Sequence, residues 1–206
     1  MDNMIISIGR QFGSGGSEIG KKLSNKLNIP YYDRELLAAA ARDSGLCPEI
    51  FERADERESS IFSYAFSLGF STLGMYIPYD DILSNEKLFL LQSETIRNLA
   101  KKESCVIIGR CSDYILRDNP GCLSFFIHNT LDNRIKHITK RENVSEARAK
   151  ELIIKADKSR AAYYNYYTNK LWGFAPSYNF SIDVSILGTD GTVAFLKDLI
   201  TSKLKS

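Results

Sequence analysis

Arg10 to Ser17 of this 206-residue chain read Arg-Gln-Phe-Gly-Ser-Gly-Gly-Ser, between an apolar run ending in Ile8-Gly9 and a helical pattern. The order nearly reproduces the phosphate-binding loop G-x-x-x-x-G-K-Ser/Thr, whose lysine reaches the β and γ phosphates and whose hydroxyl ligates magnesium. Gly15 and Ser17 match that pattern, whereas the first glycine position holds Arg10 and the lysine position holds Gly16. Gly13, Gly15 and Gly16 let a backbone close around an anion at the start of a helix, where free N–H groups and the helix dipole attract it. A tight turn with glycines for packing is the plainer alternative. A dinucleotide fingerprint is not met, because Glu18 stands where its third glycine would be.

Something must replace the missing lysine if the loop holds phosphate. Lys21 lies four residues beyond Ser17 on the same helix face, a rise of about 6 Å that a lysine stem spans. Arg10 projects from the start of the loop. Either one is expected to take the place, with contributions from Arg141 and Arg160 also open and Lys21 otherwise an ordinary solvated lysine.

The elements that must position this loop are legible in outline. Met4 to Ile8 reads as a buried central strand, and Ile19, Leu23 and Leu27 recur at four-residue spacing as one face of an amphipathic helix. Ile29 to Tyr32, Ser104 to Ile108, Leu123 to Ile127 and Phe180 to Val184 are four further strands. Between them, helices are expected from Asp33 to Gly45, from Glu49 to Glu58, from Asn85 to Lys102, from near Thr130 or Asp132, from near Ser145, and from Thr189 or Thr192 to Leu204. Alternating strand and helix patterns of this kind give an α/β fold. The Phe-, Ser- and Gly-rich stretch from Ile61 to Gly74 has no assignable period.

In open α/β sheets ligands bind beyond the carboxyl ends of the strands. The residues at those ends are the loop itself, Asp33-Arg34, Gly109-Arg110 with Asp113, His128-Asn129 and Asp183. Arginine binds phosphate bidentately and a carboxylate holds a magnesium hydration shell, so the set suits a phosphorylated second substrate. Arg141, Arg148, Asp157, Lys158 and Arg160 form a second charged group; Asp157 and Arg160 share a helix face and are placed to pair with each other. Tyr163 and Tyr167, four apart, are expected to pack rather than to stack on bases.

A net charge of +2 argues against a generic nucleic-acid or membrane-surface protein. The four cysteines lack metal-ligand spacing, and no apolar run approaches a membrane span. The N-terminus enters a strand at once, without the pattern of a signal peptide, so a reducing cytoplasm is the expected setting. A homodimer is compatible with the sequence, but no uninterrupted heptad or other self-association signature argues for one.

The Gly-Ser-Gly-Gly-Ser loop, the Tyr32-Asp33-Arg34 step, the strand ending Ile108-Gly109-Arg110 and the helix carrying Asp157-x-x-Arg160 resemble bacterial cytidylate kinase. The resemblance is to the cytidylate kinase-like branch with Ser-Arg-x-x-Gly-Ser-Gly-Gly loops, and it covers nearly the whole chain. It implies a single P-loop kinase domain over 1–206, a three-layer α/β/α fold with a five-stranded parallel sheet of order 2-3-1-4-5. An acceptor-binding flap would span about 34–90 and a lid about 141–172. By the same resemblance Gly13, Ser14, Gly15, Gly16 and Ser17 hold the donor phosphates, with Ser17 also the magnesium ligand. Asp33, Arg34, Arg110 and Asp113 face the acceptor, and Arg141, Asp157 and Arg160 belong to the lid. The chain departs from true cytidylate kinase at Gly16 and at Cys111, where that family carries an acid directly after Gly-Arg.

The expected function is transfer of the γ-phosphoryl group of ATP, with Mg2+, to a nucleoside monophosphate, CMP or dCMP first. A kinase of another small acceptor on the same scaffold, or a nucleotide-binding regulatory module, are the alternatives. Partners are small-molecule nucleotides, without nucleic acid or membrane.

Overall fold

The computed structural model describes residues 3–33 and 79–203. The helices expected from Asp33 to Gly45 and from Glu49 to Glu58, the stretch from Ile61 to Gly74, Arg34 and most of the proposed acceptor flap lie outside the described residues.

Five strands form one sheet: β1 (Ile5–Arg10), β2 (Tyr31–Tyr32), β3 (Cys105–Ile108), β4 (Cys122–His128) and β5 (Phe180–Asp183). Every pairing is parallel and the order is β2-β3-β1-β4-β5, as expected. The helices are α1 (Gly16–Leu27), α2 (Tyr79–Lys102), α3 (Ser112–Ile115), α4 (Leu131–Glu142), α5 (Glu146–Thr168) and α6 (Val184–Lys203).

Strand alternation sorts the core into two faces. Ile6 and Ile8, Val106 and Ile108, and Phe125 and Ile127 point to one side and pack with Ile19 and Leu23 of α1 and Val193 and Leu196 of α6. Ile5, Cys105, Ile107 and Phe126 point to the other and meet Ile96 of α2, Ile115 of α3 and Tyr164 of α5. Burial on both faces explains why the strands read as nearly unbroken apolar runs. Ser7 is the polar exception inside β1; its hydroxyl hydrogen-bonds the Ser112 hydroxyl at 2.7 Å and ties the strand to the first turn of α3.

Helix ends follow local chemistry. Thr130 and Ser145 accept the amides of Asn133 and Arg148 through their hydroxyls, each at 3.3 Å, and so start α4 and α5. Asn28, Asn143 and Asn169 close α1, α4 and α5 in the left-handed conformation that asparagine tolerates. α6 begins earlier than its periodicity suggests, because a turn from Val184 precedes a break at Gly188 (φ 65°, ψ 177°), a conformation open almost only to glycine. The continuous helix beyond Gly188 starts where the sequence pattern placed it. α2 likewise extends upstream of the expected Asn85, to Tyr79.

The aromatic pairs behave as packing elements. Tyr167 stacks on Phe89 of α2 with ring centroids 4.0 Å apart, and Trp172 and Tyr178 meet the Phe126 ring at 5.2 Å and 5.0 Å. No helix among the described residues is long and apolar enough to cross a membrane.

α1 lies close on the sheet because Gly20 lacks a side chain. A Cβ there would stand 2.6 Å from Ile108 Cδ1 and 3.3 Å from Ile8 Cδ1. Gly20→Leu is therefore expected to cost about 1–3 kcal/mol through overpacking, read as a lowered midpoint in urea with an unchanged m-value.

Candidate active site

At the carboxyl end of β1 the chain turns through Gln11 to Gly15 before α1 begins. Gly13 (φ 80°) and Gly15 (φ 85°) take left-handed conformations that a side chain would strain. Gly13 also lies against α4, where a Cβ would meet Ile138 Cγ1 at 3.0 Å and the Arg134 carbonyl at 3.1 Å. The turn is held from within: Ser14 N and Ser14 Oγ both donate to the Gln11 carbonyl, at 3.3 Å and 2.9 Å, and Gly16 N donates to Ser14 Oγ at 3.3 Å. Among the described residues no hydrogen bond takes up the amides of Gly13, Gly15, Ser17 or Glu18. These donors converge at the N-terminus of a twelve-residue helix, the arrangement that binds phosphate.

Asp157 clamps the loop from outside. Its Oδ1 accepts Phe12 N at 2.7 Å, and its Oδ2 pairs with Arg134 Nη1. The i,i+3 pairing with Arg160 expected from the sequence is thus replaced by a pairing between helices. Arg134 on α4 is the functional residue that sequence reasoning passed over. It shares the inward face of its helix with Ile138, and a charged residue in phase with an apolar stripe was the available signal.

Arg160 instead crosses to the end of β1, where Nη1 donates to the Arg10 carbonyl at 3.1 Å. Arg141 lies with its guanidinium carbon 5.0 Å from the Phe12 ring centroid, Arg160 at 5.4 Å, both within cation–π range. Arg141 also pairs with Glu142 at 2.8 Å and stands at the edge of the site rather than in it.

A cleft of about 430 Å³ opens beyond β1, β2 and β3. Arg10, Arg110 and Arg160 line it together with Asp33, Asp113 and Ser17. Lys21 is exposed on α1 and does not line the cleft. Of the two residues expected to replace the loop lysine, Arg10 lines the cleft and Lys21 does not. The cleft's far wall is aromatic: Tyr164 OH donates to Asp113 Oδ2 at 2.7 Å, and Gln92 Nε2 donates to the Arg110 carbonyl at 3.3 Å and to Tyr163 OH at 3.2 Å.

The backbone at the end of β3 is unusual. Gly109 (φ 67°), Arg110 (φ 59°) and Cys111 (φ 56°) are consecutively left-handed. Left-handed non-glycine residues cost of order 1–3 kcal/mol each and persist where surrounding structure fixes them. Here that conformation turns Arg110 and Asp113 into the cleft and buries Cys111, whose thiol burial pushes far above its ordinary range. His128 and Asp183, also at strand ends, lie outside the cleft; Asp183 accepts Ser185 N at 2.9 Å and starts α6.

Electrostatics in the cleft are dominated by burial, with like charge adding to it and Asp33 opposing it at Arg10. Burial, then Arg160 and Arg110, push Arg10 well below the usual guanidinium range. Burial also lowers Arg160, to about 10, with Arg110 and Arg141 adding to the shift and Asp157 opposing it. Such groups stay cationic at neutral pH, so the shifts express repulsion and desolvation that a bound anion would relieve. Asp113 moves the other way: burial raises its carboxyl, and the Tyr164 hydrogen bond only partly offsets this.

An all-parallel 2-3-1-4-5 sheet with a glycine loop between β1 and α1 defines a P-loop kinase fold. Similar solved structures include shikimate kinase from Bacteroides thetaiotaomicron (15% identity, TM-score 0.53, covering 96% of this chain and 98% of that one) and TT1252 from Thermus thermophilus (14%, 0.58, 98% of both). An uncharacterized protein from Eubacterium ventriosum is nearer, at 31% identity and TM-score 0.72 over 97% of this chain and 99% of that one. No curated protein matches significantly. The cytidylate kinase-like family matches residues 5–186, and the chain belongs to it. Family and fold together support a phosphotransferase.

Two predictions follow from this geometry. Arg134 and Asp157 have side chains only 10% and 17% exposed. Asp157→Ala strands the buried guanidinium and frees Phe12 N, and is expected to cost about 3–5 kcal/mol in chemical denaturation. For Asp113 the folded carboxyl binds its proton more tightly than the unfolded one, so its contribution to stability falls as pH rises above the ordinary carboxylate value. Asp113→Asn, which keeps an acceptor for Tyr164, should gain stability relative to wild type as pH climbs from 4 toward neutrality; thermal melts across about pH 4–8 read the difference.

Proposed function

We propose that the chain is an ATP- and magnesium-dependent phosphotransferase whose acceptor carries a phosphate, with CMP or dCMP the first candidates. The observation that carries this reading is a set of loop amides without partners among the described residues at the start of α1, next to a cleft that Ser17, Arg10, Arg110 and Arg160 line. Phosphoryl transfer is mostly positioning and electrostatic stabilisation, and these groups supply both.

The residues present fit the nucleotide and its metal. The amides of Gly13, Gly15, Ser17 and Glu18 suit the donor phosphates, with Gly16 and Ser14 fixing the loop. Ser17, exposed at the cleft, is the magnesium ligand in this reading. Among the described residues no cluster of three metal-ligating side chains occurs. That is compatible with magnesium held through phosphates, water and one hydroxyl rather than a protein cage. Magnesium supplies charge neutralisation at the bridging oxygens when bound.

On the acceptor side, Arg110 binds the monophosphate, while Asp33 and Asp113 orient it; Arg34 is assigned to the same group. An acceptor phosphate oxygen forms the new bond to the γ-phosphorus as the β–γ bridging bond breaks, and ADP leaves. That oxygen is already anionic near neutral pH, so no general base is required. Arg160 and Arg141, with Asp157 as positioning residue, belong to a lid over about 141–172 that excludes water. The flap over about 34–90 selects the acceptor. Small-molecule nucleotides are the partners and the cytoplasm is the setting.

The test incubates purified protein with ATP, Mg2+ and each common nucleoside monophosphate and follows diphosphate formation by chromatography. CDP formation is expected, with kcat/KM reduced about 10- to 100-fold in a folded Arg110→Ala variant, the loss of one charge-assisted contact. ATP binding without product from any nucleotide would reject this reading and turn it toward another acceptor or a nucleotide-binding regulatory module.

A further inference from the structure

Gly16 is not glycine for conformational reasons. Its φ lies outside the left-handed region that Gly13 and Gly15 occupy, and it forms the first residue of α1. What excludes a side chain is Arg10: a Cβ at Gly16 would lie 2.6 Å from Arg10 Cβ and 3.1 Å from Arg10 Cγ, with Ile127 Cβ at 3.2 Å. A Cβ–Cβ approach of that kind cannot be relieved by swinging a flexible end away. The Arg10 stem thus covers Gly16, and its Nη1 reaches Gly109, where any Cβ would collide with it. Its Nε is buried with no hydrogen-bond partner among the described residues.

The two positions are the ones where the loop departs from the phosphate-binding pattern. Residue 10 should be glycine and residue 16 lysine, and the chain has a cation at 10 and glycine at 16. We propose that these departures are a single reciprocal exchange: Arg10 is the phosphate-binding cation of this loop, and it and a side chain at position 16 are mutually exclusive. The cation enters from the end of β1 instead of the start of α1. Its guanidinium lies at the seam between the loop and the end of β3, beside Arg110 and Arg160. There it faces the phosphoryl group shared by the donor and acceptor sides. Burial, Arg160 and Arg110 disfavour its charge more than Asp33 supports it, and its Nε is buried without a hydrogen-bond partner among the described residues, as suits an anion site.

This inference rests on the phosphotransferase reading only in taking a phosphate as ligand, and pyrophosphate is a sufficient probe. Binding is measured calorimetrically for wild type, Arg10→Ala, Arg10→Gly and Arg10→Gly/Gly16→Lys, with thermal melts for each. Arg10→Ala should weaken pyrophosphate binding about tenfold or more, the loss of charge-assisted hydrogen bonds. The double variant restores glycine at 10 and lysine at 16 and should regain most of that affinity over Arg10→Gly alone.

Steric exclusion is read separately from the midpoint shift caused by Gly16→Ala, which adds only a Cβ. With Arg10 present the shift should be about 3–10 °C downward, and in the Arg10→Gly background less than half as large. Equal shifts in the two backgrounds, unchanged pyrophosphate binding by Arg10→Ala, or no pyrophosphate binding by wild type would each overturn the proposal. Arg10-dependent binding without turnover on any nucleotide would leave the exchange standing and remove the kinase reading instead. Undiminished turnover in Arg10→Ala would do the reverse.

Discussion

The Asp157 carboxylate is the constraint on which the site depends. It sits on α5, yet it holds the amide of Phe12 in the loop and the guanidinium of Arg134 on α4. One side chain therefore fixes α5, the loop and α4 against one another. A glycine loop has many accessible conformations, and the entropy of ordering it must be offset before any ligand arrives. The clamp does so through a charged acceptor, which is stronger than a neutral one. It also directs both Asp157 oxygens away from Arg160, whose Nη1 donates to the Arg10 carbonyl instead, although Asp157 still supports the Arg160 charge.

The same neutralisation decides the sign of the cleft. Arg134 is paired away outside it, while Arg10, Arg110 and Arg160 line it; of the two lining carboxyls, Asp113 is pushed toward its neutral form by burial. Three guanidinium groups in a partly dehydrated space repel one another, a cost the fold carries in the absence of anion. Left-handed backbone at Arg110 and Cys111 adds local strain at the same place. Strain and like-charge crowding at one point are what the proposed anion site requires, because a phosphate would relieve the repulsion without rearrangement of its donors.

Most of the scaffold was legible because the signals that encode it are local. Apolar runs gave the five strands, and Thr130, Ser145 and the spacing of Ile19, Leu23 and Leu27 gave helices with their starts. The strand order came from resemblance, since spacing alone does not state which strands pair. What escaped was non-local. The Asp157–Arg160 spacing was compatible with a pair on one helix, but a carboxylate takes the partner with the best desolvated geometry, and that was Arg134 across a helix boundary. Lys21 and Arg10 were equivalent as cations near a loop. Only the path of the Arg10 side chain over Gly16 and Gly109 separates them.

That path also explains why the loss of the lysine need not be read as loss of the site. A lysine on α1 offers a point charge on a flexible stem, whereas an arginine lying along two glycines is held in place by the backbone beneath it. Its planar fork loses less freedom on binding, and it presents two donors to a phosphate rather than one charge. The exchange carries its own restriction. A buried guanidinium beside Arg110 and Arg160, offset in part by Asp33, carries a desolvation cost that a bound anion would reduce. In the proposed reading, binding energy from a phosphate is then drawn from relieved repulsion as well as from new contacts.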